Sequence, residues 1–170
     1  LSSGSSVTGY ECELSDASQS GCETVVEGGD VTVSLSSSTP AGALVPKQAN
    51  GLEVLRFNVR AGSEEATFSE VALKMNGIGA TSNVSKVYLY EGAERLTSGR
   101  TINSSTRKVT FGSLGLDLDA NETRTLSVRV QLANTGAADA VAFQIENADD
   151  ASAMGGSVMG NFPIQGNSFT

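Results

Sequence analysis

The sequence predicts an all-β protein, an antiparallel β-sandwich of about nine or ten strands, and three observations predict it. Leu126, Val128, Val130 and Leu132 alternate with Thr125, Ser127, Arg129 and Gln131, and this rhythm recurs along most of the 170 residues. Successive strand side chains point to opposite faces, so the alternation describes strands with one buried and one wet face. Turn signals separate these runs at intervals of roughly 8–12 residues. No window keeps an apolar stripe at helical period.

Taken in order, Val31, Val33 and Leu35 form the first strand, and Ser36-Ser37-Ser38-Thr39-Pro40-Ala41-Gly42 is a turn or crossing loop. Leu55, Phe57, Val59 and Ala61 alternate with Arg56, Asn58 and Arg60. Leu52 and Val54 sit in the opposite phase, which predicts a bulge near Val54 and Leu55. Val71, Leu73 and Met75 make the next inward row, ended by Asn76-Gly77. Val84, Val87 and Leu89 follow, with Tyr88 and Tyr90 on the other face. Glu91-Gly92-Ala93-Glu94 then reverses the chain into Arg95-Leu96-Thr97. Val109 and Phe111, then Leu114, Leu116 and Leu118, are short strands ahead of the long Leu126–Leu132 row. Val141, Phe143 and Ile145 come next, and the tail around Phe162 and Ile164 completes the set.

Hydrophobic residues make up 39% of the chain and aromatics 5%; there is no His and no Trp. The usual general base and the commonest transition-metal ligand are therefore absent from it. A formal net charge of -8 disfavours nucleic acid as a partner, because phosphate backbones require a basic surface. It disfavours anionic lipid equally. No run approaches the roughly 18 apolar residues of a membrane span. The chain opens on Leu1 rather than Met and stops within an apparent strand at Thr170, so a processed product or a piece of a longer polypeptide is expected.

Residues 1–29 read as an acidic, Ser/Gly-rich arm ahead of a sandwich domain over 30–170. Cys12 and Cys22, the two cysteines, lie in that arm. Two cysteines with no His do not make a four-ligand zinc site, and their spacing is wrong for a redox Cys-x-x-Cys. A disulfide closing a small loop is the expectation, worth about 3 kcal/mol in the loop-entropy model. It implies an oxidising, extracellular location.

Five blocks carry a family resemblance. They are Gly29-Asp30-Val31-Thr32-Val33-Ser34-Leu35-Ser36-Ser37-Ser38-Thr39-Pro40, Val54-Leu55-Arg56-Phe57-Asn58-Val59, Val84-Ser85-Lys86-Val87-Tyr88-Leu89-Tyr90-Glu91-Gly92, Asn121-Glu122-Thr123-Arg124-Thr125-Leu126-Ser127-Val128 and the closing run from Gly160 to Thr170. In this order they resemble Ig-like or jelly-roll-like β-sandwich modules of large bacterial cell-surface proteins. The resemblance covers most of residues 29–170 and leaves the arm out. It implies an exported building block of a surface layer, filament or stalk, and it carries over no catalytic residue.

Several constellations remain to be weighed. Asp117, Asp119, Asn121 and Glu122 bring four oxygen-bearing side chains within six positions and are candidate calcium ligands. A strand ending in a turn collects the same residues for its own amides, and that reading is preferred. Calcium apart, no cofactor is expected. Tyr88 and Tyr90 would suit a glycan or a subunit contact, with cross-strand packing as the plainer account. Asn83, Asn103 and Asn121 begin N-glycosylation patterns. Lys47, Lys74, Lys86 and Lys108 raise an internal isopeptide bond, which needs a buried acid beside the reacting pair. Nucleophilic Ser catalysis has neither a His nor a Gly-x-Ser-x-Gly elbow.

The expectation is thus a non-enzymatic extracellular structural protein that self-associates, or joins neighbouring modules, through edge strands and termini. Val31, Val33 and Leu35 of the first strand, with Phe162 and Ile164 of the last, are the candidates for strand exchange. The alternative is a carbohydrate-binding or adhesin module that meets surface glycans through Tyr88 and Tyr90.

Overall fold

The computed structural model describes residues 28–134 and 140–170. Cys12, Cys22 and the disulfide expected between them lie outside the described residues, as does the arm up to residue 27. At its end Gly29 donates its N–H to the Glu65 carbonyl at 2.9 Å.

Alternating residues become strands throughout. Val31–Leu35 (β1), Leu52–Ala61 (β2), Ala66–Asn76 (β3), Val84–Glu91 (β4), Glu94–Arg95 (β5) and Lys108–Phe111 (β6) make the first half. Leu116–Leu118 (β7), Thr123–Leu132 (β8), Ala142–Ile145 (β9), Ala151–Ala153 (β10), Val158–Gly160 (β11) and Ile164–Gln165 (β12) make the second. Helical geometry among the described residues is confined to single 3-10 turns at Thr81–Asn83 and Ala148–Asp150. The protein is an all-β sandwich of two sheets.

The first sheet runs β11-β1-β2-β8-β4-β5. The second is organised on β3. Val71 faces Phe111 of β6 on one side and Ala151 of β10 on the other, while Lys74 lies between Lys108 of β6 and Gln144 of β9. β7 pairs with the start of β3, and β12 closes the far side against β9. Two features depart from the sequence-based expectation. Twelve strands occur among the described residues, because the short β10 and β11 are added. The first sheet is also not purely antiparallel, since β11 runs parallel to β1, with Val31 opposite Val158.

The apolar rows meet between the sheets. Phe57 from the first sheet and Phe68, Phe111 and Phe143 from the second are fully buried, packed among Leu55, Leu73, Leu89, Leu126 and Ile145. Without Trp, these phenylalanines carry the largest burial. The bulge expected near Val54 and Leu55 is present: the β2–β8 register shifts between Glu53 and Leu55, and both Val54 and Leu55 are buried. A second shift in β3, opposite Ser152 and Ala153, lets Phe68 and Val71 both face inward although they differ in parity. Gly166 approaches the β2 bulge so closely that a Cβ there would lie 2.4 Å from the Val54 carbonyl oxygen.

One arginine ties the sheets at an end of the core, pairing with a carboxylate of its own sheet and a carbonyl of the other. Arg124, at the start of β8, donates from Nε to Glu91 Oε1 of β4 at 2.7 Å and from Nη1 to the Asp117 carbonyl of β7 at 3.0 Å. Its Nη2 also meets Glu91 Oε2.

Phe57→Ala is expected to cost about 3–5 kcal/mol in urea unfolding, as for a large aromatic removed from a closed core. Ile78→Ala, at a side chain 85% exposed, is expected to stay within about 0.5 kcal/mol.

Candidate binding surfaces

The outer face of the first sheet is built by cross-strand registration. Glu53 of β2 lies opposite Arg129 of β8, and Arg129 lies opposite Tyr88 of β4. One step along, Arg56, Ser127, Tyr90 and Arg95 form a second row across β2, β8, β4 and β5. Tyr88 and Tyr90 are half-buried, with ring centroids 6.5 Å apart in an edge-on arrangement. The Arg129 guanidinium stands 4.3 Å over the Tyr90 ring and donates to the Gly92 carbonyl, while Arg95 lies 5.8 Å from the Tyr88 centroid. Tyr88 also packs on Gly99, where a Cβ would come within 2.6 Å of its ring. Cross-strand packing thus occupies much of both rings, and the surface offered is a mixed guanidinium and aromatic ladder.

Glu53 joins this ladder from below. Its carboxylate meets Arg56, whose Nη2 donates at 3.2 Å, and lies 3.5 Å from Arg129 Nε. Two guanidinium groups therefore share one carboxylate. Arg56, Arg129 and Ser127 were not among the residues singled out from sequence; their strands alternate regularly, but only the register of β2, β8 and β4 brings them together.

The outer face of the second sheet carries an ion network. Lys74 donates to Glu146 at 2.5 Å, and Lys108 donates to Asp150 at 2.6 Å while lying 3.4 Å from Glu146. Beside them Asn76 donates to Gln144. Of the four lysines raised for a Lys–Asn isopeptide bond, Lys74 and Lys108 lie beside acids, Glu146 for both and Asp150 for Lys108. The hydrogen bond to Asp150 raises the Lys108 pKa above the usual 10.5, outweighing partial burial. The side-chain partners that Lys74 and Lys108 meet are carboxylates, not an asparagine amide. Glu146 is held below the ordinary carboxylate range, first by the Lys74 hydrogen bond and then by Lys108.

Two of the four candidate calcium ligands are engaged within the protein, one across to β3 and one inside the turn. Asp117 Oδ1 accepts from the Thr67 hydroxyl at 2.6 Å, and Glu122 Oε2 accepts the Asp119 N–H at 2.8 Å. Asn121 adopts φ +64°, a left-handed turn position that Asn tolerates. Asp117 and Asp119 do share a hollow with Glu65, but no group of three or more acids, Cys or His suited to a metal occurs among the described residues. The three asparagines of the glycosylation patterns lie outside the strands. Asn83 ends a 3-10 turn, Asn103 accepts the Ser105 and Thr106 N–H groups, and Asn121 is exposed.

The strand-exchange residues divide. Val31 and Val33 are fully buried in β1, which is flanked by β2 and β11, so β1 is an interior strand. Leu35 at its end is 48% exposed. Ile164 is buried in β12 at the border of the second sheet, and Phe162 precedes that strand, half-buried.

No protein-family model matches the chain, and no curated protein matches it. Among solved structures, a family 123 glycoside hydrolase from Clostridium perfringens, described for glycolipid glycan hydrolysis, is similar over 82% of this chain. The TM-score is 0.45 and the identity 12%, and the match spans 27% of that protein's length.

The ion network sets a pH dependence. Glu146 and Asp30 both have lowered pKa values, Asp30 through the Ser157 N–H and then its hydroxyl. Their contribution to stability is fully present above the unfolded carboxylate value of about 4 and is lost as pH falls through the lower folded values. Lys108, with a raised pKa, contributes fully below 10.5 and loses its contribution as pH rises through the higher folded value. Urea midpoints measured across pH are expected to fall at both extremes. Glu146→Gln is expected to lower the neutral plateau and flatten the acid limb.

Proposed function

We propose that this chain is a non-enzymatic structural module of an exported cell-surface assembly, a filament, surface layer or stalk, joined to its neighbours through sheet edges. The observation that carries this reading is the contrast between the two borders of the first sheet. One border, β5, is Glu94–Arg95, and exposed charge of this kind discourages another strand from pairing. The other border, β11, is Val158–Gly160, with no charge and with Met159 half-exposed. An unguarded edge presents backbone donors and acceptors to an added strand, and side chains at alternate positions then give specificity.

The revised edge replaces β1 in the assembly role, because β1 already bonds on both sides. β12 is one of the border strands of the second sheet, and Ile164 keeps its place there as an assembly residue. The resemblance to bacterial surface modules and the expected Cys12–Cys22 disulfide support an extracellular setting. A contact between two different patches on successive copies grows an open filament instead of closing a ring.

Met159→Lys is expected to weaken self-association at least tenfold, roughly the scale of one mispaired edge position, and to leave the urea midpoint unchanged. Light scattering with size-exclusion chromatography, followed by electron microscopy of the unsubstituted chain, checks this. A chain that stays monomeric at high concentration, or a variant that assembles as well as the parent, defeats the edge reading.

A further inference from the structure

Surfaces of opposite charge lie at the two ends of β3. The turn before it carries Glu64 and Glu65, both exposed, and the exposed Asp119 follows β7, which pairs with the same end of the strand. Glu65, Asp117 and Asp119 line one hollow there, and no basic residue lines it with them. Asp117 is already engaged by the Thr67 hydroxyl. Glu64, Glu65 and Asp119 make no ion pair among the described residues.

Near the other end of β3 the chain between β5 and β6 crosses from one sheet to the other. Arg100 exchanges backbone hydrogen bonds with Val87 of β4, and Asn103 N–H donates to the Lys108 carbonyl of β6. Here lies a hollow of about 490 Å³ whose lining includes Lys86, Gly99, Arg100, Thr101 and Lys108 and no acidic residue. Lys108 is spent on Asp150 and Glu146. Lys86 and Arg100 make no ion pair among the described residues. Nor does the neighbouring Arg107, whose Nε and Nη2 donate to the carbonyls of Met75, Gly77 and Gly79. Arg100 is exposed, and its guanidinium lies 6.0 Å from the Phe111 ring centroid. Contact with a ring face steadies the side chain without consuming its N–H donors.

We propose that this basic hollow docks the acidic corner of a second copy, Arg100 and Lys86 of one chain meeting Glu64, Glu65 and Asp119 of the next. The eleven residues of β3, at about 3.3 Å each, hold the two patches roughly 30 Å apart within one copy. That is more than three Debye lengths of about 8 Å, so the patches neither touch nor attract each other within a chain. What the hollow fits is a projecting turn with unpaired carboxylates, and this chain presents one. Because the two patches differ, a docked pair still has one of each free, and the contact grows an open filament. The inference rests on the self-association reading and adds what the uncharged β11 edge lacks. Backbone pairing acts only at contact, whereas opposed charges steer the approach and fix the orientation of the copies.

The test is sedimentation velocity of the full chain across a range of salt concentrations. Association of the parent is expected to weaken about tenfold between roughly 50 and 500 mM salt. Arg100→Glu is expected to weaken it about tenfold at low salt and to flatten the salt dependence. Lys86→Glu, which leaves the Phe111 contact alone, is expected to act in the same direction, and urea midpoints check that both variants fold. Glu64→Lys with Glu65→Lys is expected to match the loss, and combining it with Arg100→Glu is expected to regain most of it. Association that ignores salt, an Arg100→Glu and a Lys86→Glu chain that both assemble like the parent, or a combined variant no better than Arg100→Glu would each overturn the proposal. If Met159→Lys were still disruptive in those cases, the edge reading would stand without it. A parent that stays monomeric at low salt would remove both.

Discussion

The two edges of β3 hydrogen-bond to four strands, and most of the second sheet takes its register from them. β6 and β7 lie along one edge and β9 and β10 along the other, so a slip of one residue in β3 would turn four partners out of phase at once. The bulge opposite Ser152 and Ala153 is what lets eleven residues serve both ends of the strand. Ala66 and Phe68 face the core before it; Val71, Leu73 and Met75 face the core after it. Across the interface β2 makes the same adjustment at Val54 and Leu55. Two of the three longest strands are therefore bent by an inserted residue, which increases local twist and lets two twisted sheets keep contact along their length.

That arrangement explains which parts of the fold are legible in the chain. Long strands with one buried face spell themselves out, and β2, β4 and β8 stand where their alternation puts them. The bulge in β2 is legible too, because two apolar residues fall side by side at Val54 and Leu55. β10 and β11 are not: Ala151-Ser152-Ala153 and Val158-Met159-Gly160 are too short and too poor in large side chains to show a period. Their place comes from tertiary contacts, β10 against β3 and β11 alongside β1 in the opposite sheet. The identity of the edge strands depends on those same contacts. A first strand looks like a natural border until a distant three-residue segment pairs outside it.

Surface chemistry follows the same division. Tyr88 and Tyr90 are conspicuous as two aromatics on one strand face, and the structure does place them together. What surrounds them is a matter of register: Arg129 reaches Tyr90, and Arg56 reaches Ser127, only because β2, β8 and β4 align as they do. Lys74, Lys108, Glu146 and Asp150 come from two strands, the residue after β9 and a 3-10 turn, separated by up to 76 positions in sequence. Their convergence has no local signal. The Asp117–Glu122 segment is mixed: turn chemistry anticipates the two bonds between Asp119 and Glu122, whereas the bonds from Asp117 to Thr67, from Asn121 to Gly62 and from Ala61 to Glu122 are long-range.

The distribution of charge over the two faces bears on how copies of such a module can meet. Glu53, Arg56 and Arg129 occupy the outside of one sheet; Lys74, Lys108, Glu146 and Asp150 occupy the outside of the other. Stacking either face against a neighbour would strip water from several charges, and that desolvation often exceeds the Coulombic return. Pairing at a sheet edge removes far fewer charges from water, because the groups that come together are backbone amides and carbonyls. The faces are then left in solvent. Edge contact thus lets copies of the sandwich meet while the charged faces stay hydrated.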